Sequence, residues 1–130
     1  MQGLHLTADL HHCDCDSAWL LDARLLGVAC RDAVQAAGLQ AVAELFHGFP
    51  ATSQGPGGVT ATILLAESHL CVHTWPELRG VTLDVYVCNF GADHSAQARA
   101  LMDGLIALFA PNLVQRHSLQ RGAEAPERPF

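Results

Sequence analysis

The sequence predicts an α+β fold: a two-layer sandwich in which an antiparallel sheet carries two helices on one face. Three observations predict it. The apolar pattern runs β-α-β-β-β-β-α-β along the chain. Three consecutive strands follow one another too closely for the crossovers that parallel neighbours need. Two segments have helical periodicity, enough to cover one face of a sheet and leave the other bare. A chain of 130 residues builds one domain with a real core and has no room for a second.

The elements follow in order. GLHLTADL, Gly3 to Leu10, alternates and reads as the first strand. Asp16 or Ser17 is placed to cap a helix running to about Ala37. Ala18, Leu21, Leu25, Val28, Ala29 and Ala33 share its inward face, and Gly38 stops it. Gln40 to Phe49 is a second strand. PATSQGPGG, Pro50 to Gly58, holds three glycines and two prolines and is a loop. Val59 to Leu65 is a strongly apolar strand, His69 to Trp75 is another, and VTLDVYVC, Val81 to Cys88, alternates well. Asp93 or Ser95 opens a second amphipathic helix to about Phe109, with Ala98, Leu101, Met102, Leu105 and Ile106 inward. Pro111 follows it, and Asn112 to Ser118 is a last strand. Residues 121–130, rich in Pro, Glu and Arg, form a mobile tail outside a single domain of residues 1–120. The strands read as apolar on both sides, so a second copy of the chain is expected to cover the bare sheet face and make a homodimer.

Composition narrows the function. Half the residues are apolar and 15% are charged, which excludes disorder for the body of the chain. A formal charge of −6, a pI near 5.6 and scattered basic residues argue against a nucleic-acid surface. No apolar run reaches membrane-spanning length, and MQGLHLTADLHH lacks the basic start and apolar block of a signal peptide. A cytoplasmic protein is expected. Cys13, Cys15, Cys30, Cys71 and Cys88 include no CxxC pair and read as free thiols, most of them small core residues.

The reactive residues concentrate in ESHLCVHTWPE, Glu67 to Glu77. His69 and His73 lie an even four residues apart, so they share a strand face with Cys71 between them. That face could bind a metal, as could HHCDCD at His11 to Asp16. Neither has a paired-ligand spacing with a distant partner pair, and no metal site is expected. No G-x-S-x-G elbow surrounds Ser68 and no glycine-rich phosphate loop opens a helix.

ESHLCVHTWPE resembles the ESHxxxHTWPE signature of prokaryotic S-adenosylmethionine decarboxylase proenzymes. The resemblance extends to Asp9 at the end of the first strand, Cys13-Asp14, Phe46-His47-x-Phe49, Gly58-Val59, Asp84 and Cys88. It implies that the chain makes its own pyruvoyl cofactor from Ser68. The Ser68 hydroxyl attacks the carbonyl of Glu67, a base removes the serine α-proton, and β-elimination breaks the chain between Glu67 and Ser68. Hydrolysis then leaves a pyruvoyl group and ammonia, with a β chain of residues 1–67 and an α chain of residues 68–130. The resemblance further implies that His73 is the processing base and Thr60 the processing hydroxyl, standing where the family has serine. The substrate amine would form a Schiff base on the pyruvoyl group, and Cys88 would return the proton to the substrate. Glu77 and Phe49 would contact substrate.

The implied activity is decarboxylation of S-adenosylmethionine for polyamine (spermidine) synthesis, in a homodimer of processed protomers. Two departures bear on it: the loop before Thr60 is longer and richer in glycine, and Leu78-Arg79-Gly80 replaces a segment that often carries tyrosines. Two alternatives stay open. One is a decarboxylase of ornithine or arginine on the same scaffold; the other is an unprocessed, non-catalytic homologue.

Overall fold

The computed structural model describes residues 2–125. Among them the order is β1 (Gly3–Cys13), α1 (Ala18–Leu21), α2 (Ala23–Ala36), β2 (Ala41–Gly48), β3 (Val59–Leu65), β4 (Ser68–Trp75), a single 3-10 turn (Pro76–Leu78), β5 (Gly80–Cys88), α3 (Ser95–Phe109) and β6 (Pro111–Arg121). The six strands form one sheet in the order β2-β3-β4-β5-β1-β6, and every neighbouring pair is antiparallel. The helices cover one face, as the sequence predicts.

Alternation sorts the strands into two faces. Leu4, Leu6, Ala8 and Leu10 of β1, and Val81, Leu83, Val85 and Val87 of β5, are buried under the helices. They meet Leu26, Cys30 and Val34 of α2 and Ala98, Leu101, Met102, Leu105 and Phe109 of α3. Thr74 is the one buried polar residue of this layer, and its hydroxyl is fully used. It accepts from the Val59 N–H at 2.8 Å and donates to the Leu20 carbonyl at 2.8 Å, tying β3, β4 and α1 together.

The structure corrects several expectations. The first predicted helix is broken at Asp22, whose extended backbone (φ −105°, ψ 105°) caps a new helix. Its carboxylate accepts from the N–H groups of Arg24 and Leu25 at 2.9 and 3.1 Å. Restarting the helix shifts its phase, so Leu26 and Cys30 turn inward while Leu21 and Val28 are exposed. On α3, Phe109 is fully buried and Ile106 only partly so. Pro111 opens β6, which runs on to Arg121, so Arg121 lies in the sheet rather than in a tail; residues 126–130 lie outside the described residues.

The uncovered face is also not apolar. It carries His5, Thr7 and Asp9 on β1, Thr82, Asp84 and Tyr86 on β5, and His69, Cys71 and His73 on β4. Exposed leucines flank this polar centre: Leu45 and Leu64 on one side, Leu113 and Leu119 on the other.

Candidate active site

The hairpin between β3 and β4 has only Ala66 and Glu67 at its turn. Three hydrogen bonds hold it. Ala66 N–H donates to the Gln40 carbonyl at 2.8 Å, and Gln40 N–H returns a bond to the Glu67 carboxylate at 3.2 Å. The third is chemically pointed: Cys88 N–H donates to the Glu67 backbone carbonyl at 2.8 Å. That carbonyl belongs to the Glu67–Ser68 peptide bond. An N–H aimed at it stabilises negative charge on the oxygen, as an oxyanion donor does. Cys88 closes β5 and is half-buried, its side chain on the polar face with Tyr86 and Asp84. Ala66, Glu67, Cys88, Phe90 and His94 line a cleft of about 570 Å³, and Phe90 is 81% exposed beside it. No motif marks Phe90 or His94 in the sequence; the cleft alone identifies them.

A second cluster sits at the other end of the same face. Thr60 and His73 are directly paired across β3 and β4, with 3.2 Å between Thr60 Oγ and His73 Nδ1. Trp75 lies beside the His73 ring at 6.1 Å, and Phe49 packs edge-on against His47 at 4.7 Å. Phe49, Thr60, His73, Trp75 and Glu77, with residues of the loop from Pro50 to Gly58, line a cavity of about 450 Å³. The glycines of that loop are required by close approach. A Cβ on Gly57 would come within 2.1 Å of the Phe49 carbonyl oxygen, and one on Gly58 within 2.1 Å of that of Thr74.

The structure therefore brings the Cys88 N–H to the carbonyl of the Glu67–Ser68 bond and separately gathers Phe49, Thr60, His73 and Glu77. The alternation of β4 puts Ser68 in phase with Leu70, Val72 and Thr74, on the face opposite the Cys88 side chain. The structure does not bring the two sets together. Ser68 and His73 lie on one extended strand, so five residues separate them by about 16 Å. Within a single chain His73 cannot reach the Ser68 hydroxyl.

His69 and His73 are likewise too far apart along β4 to share an ion. Instead His69 meets two residues from other strands. His69 Nε2 and His5 Nε2 lie 3.3 and 2.8 Å from the same Asp84 oxygen. Arg79 has a structural part: its guanidinium donates to the carbonyls of Cys13 and Cys15 and to the Ser17 hydroxyl. Burial pushes the Cys13 thiol up to about 11 and Cys30 to about 12. Neither is a thiolate nucleophile near neutral pH.

The class is set by the fold. The chain superimposes on the crystal structure of the adenosylmethionine decarboxylase from Aquifex aeolicus VF5 with a TM-score of 0.81 and 30% identity, covering 98% of this chain and 97% of that one. Residues 4–122 match the family described as S-adenosylmethionine decarboxylase. The S-adenosylmethionine decarboxylase proenzymes of Picrophilus torridus and A. aeolicus are 33% and 37% identical to it, over 96% and 92% of this chain and 88% and 81% of theirs. The chain belongs to the S-adenosylmethionine decarboxylase family of pyruvoyl-dependent decarboxylases.

Proposed function

We propose that the chain cleaves itself between Glu67 and Ser68 and decarboxylates S-adenosylmethionine, supplying the decarboxylated product to spermidine synthesis. The observation that carries this reading is the hairpin. The Glu67 carbonyl that Ser68 must attack already accepts an N–H from Cys88. Ser68, as the first residue of β4, is held by a turn rather than deep within a strand. Position 68, where the pyruvoyl group would form, follows directly after the carbonyl that the Cys88 backbone holds. When formed, that group supplies the electron sink that lets the substrate carboxylate leave as carbon dioxide. The chain has no lysine, all seven of its basic residues being arginine, so no side-chain amine competes with the substrate amine for that carbonyl. Cys88 holds the proton that is returned to the substrate α-carbon.

The processing base and the substrate contacts come from a second copy of the chain. Thr60 and His73 are hydrogen-bonded to each other and cannot reach Ser68 of their own chain. Two sheets stacked polar face to polar face, with strands running in opposite senses, bring the His73 end of one over the Ser68 end of the other. A two-fold axis between the faces makes two identical composite sites. In each, His73 and Thr60 of the partner serve maturation. Phe49 and Trp75 of the partner offer aromatic surface for a purine, and Glu77 a carboxylate for ribose hydroxyls or the sulfonium. This aromatic lining favours S-adenosylmethionine over ornithine or arginine, which have no ring to stack. No helix among the described residues is long and apolar enough to cross a membrane. Free thiols at all five cysteines suit a reducing cytoplasm.

Denaturing mass spectrometry combined with carbon dioxide release from carboxyl-labelled substrates tests the reading. The expected result is fragments 1–67 and 68–130, the latter blocked by pyruvate, and release from S-adenosylmethionine only. A chain that stays intact on prolonged incubation contradicts self-processing. Faster release from ornithine or arginine contradicts the substrate.

A further inference from the structure

We infer that His5, His69 and Asp84 form a binding site for a divalent first-row transition ion, with Zn²⁺ the best fit, on the uncovered face of the sheet. The site goes beyond the proposed function and does not depend on it, because all three ligands come from one chain. The three strands that supply them, β4, β5 and β1, are adjacent in the sheet. His5 and His69 both stand opposite Tyr86 of β5, one on each side, while Asp84 is two residues back on the same face. Both imidazoles lean along β5 and converge on one carboxylate oxygen.

The geometry suits an ion. His5 Nε2 lies 2.8 Å and His69 Nε2 3.3 Å from Asp84 Oδ1, and the three ligand atoms all lie within 4.8 Å of one another. Donors bound at about 2.0–2.2 Å around a tetrahedral ion stand about 3.4 Å apart, so small side-chain rotations complete the site. Only the His5 ring is hydrogen-bonded to Asp84, with the His69 nitrogen standing close by; an ion would use a lone pair from each of the three groups. Two imidazoles and one carboxylate select zinc, iron, cobalt or nickel over magnesium and calcium, which prefer all-oxygen sites. Three protein donors leave a fourth position for water or an incoming ligand.

The rings are also held in place. Tyr86 packs against His5 and His69 at 5.6 and 5.7 Å between centroids. Gly3 makes room for the tyrosine, since a Cβ there would come within 2.7 Å of its ring. The Arg121 guanidinium covers the tyrosine at 5.2 Å. A bound ion would clamp three central strands one residue from Ser68.

Chelator-stripped protein titrated with Co²⁺ tests the site. The expected result is one ion per chain, a ligand-field spectrum without a thiolate charge-transfer band, displacement by Zn²⁺ and a higher melting temperature. His5→Gln and Asp84→Asn should each weaken binding more than about tenfold, a loss that even outer-shell changes cause at metal sites. His11→Gln and His12→Gln, in the HHCDCD segment, should leave it unchanged. Tyr86 is the only tyrosine, so its ring protons give a readout in the wild-type protein that needs no variant: bound Co²⁺ must shift them. Absence of binding, a thiolate band, or an unshifted Tyr86 would overturn the inference. So would folded His5→Gln and Asp84→Asn variants that bind as wild type.

Discussion

Cys88 has two proposed parts, one for its backbone and one for its side chain, and substitution separates the two. Its N–H holds the Glu67 carbonyl, and that bond survives in Cys88→Ala, so the variant should still cleave into its two fragments. Its thiol is the proposed proton donor, so turnover should fall by about 10²-fold or more, the usual contribution of a positioned acid. Residual turnover should decay as misplaced protonation converts the pyruvoyl end of the 68–130 fragment to an amine, visible as a change in fragment mass. Wild-type turnover with an unchanged fragment would make Cys88 a packing residue. Thr60 is separable in the same way. Thr60→Ser keeps the hydroxyl facing His73 and removes a methyl, and should speed cleavage; Thr60→Val keeps the shape, removes the hydroxyl and should slow it. Time courses of chain cleavage read both. Both roles came from the family resemblance, since Thr60 and Cys88 lie outside Glu67–Glu77; only Ser68, His73 and Glu77 were legible in that one short segment. His5 and Asp84 were not, since 79 residues separate them and only strand register joins them to His69.

At the scale of elements, the strands follow from alternation because burial on one face enforces it. The Glu67–Ser68 hairpin follows from two strands with almost nothing between them. The break in the first helix does not. Asp16, Ser17 and Asp22 are all competent caps, and the apolar spacing runs through all three, so choosing among them needs the tertiary contact at Thr74 and Leu20. Asp22→Ala should cost about 1 kcal/mol by freeing two helix N–H groups, lowering the melting temperature by roughly 3–6 °C for a domain of this size. An unchanged melting temperature would mean that packing alone sets the break. Cys30 on α2 carries a pH signature. Burial raises its pKa from 9.0 to about 12 in the folded state, so the folded chain keeps a proton that the unfolded chain loses. Its contribution is therefore intact below the unfolded value and is lost as pH rises from 9 towards 12. Urea unfolding at about pH 8 and about pH 10.5 should show a loss of stability that is smaller in Cys30→Ala. Equal losses would mean that other groups govern the alkaline limb.

At the scale of the whole molecule, the compactness of ESHLCVHTWPE is misleading. Residues close in sequence on a strand are far apart in space, and the strand that carries both Ser68 and His73 holds them at opposite ends of the sheet. The sequence made a second copy attractive through an apolar face that the structure does not have. The stronger reason is the division of the site proposed above, and it yields a decisive measurement. Ser68→Ala and His73→Ala homodimers should each remain uncleaved and inactive. Co-expressed as a hybrid, they should form one site with both defects and one with neither. The His73→Ala chain in the hybrid should be cut at Glu67–Ser68, and decarboxylation should return at one site per dimer. A purified hybrid in which neither chain is cleaved would contradict the divided site, and would mean that each chain completes its own site.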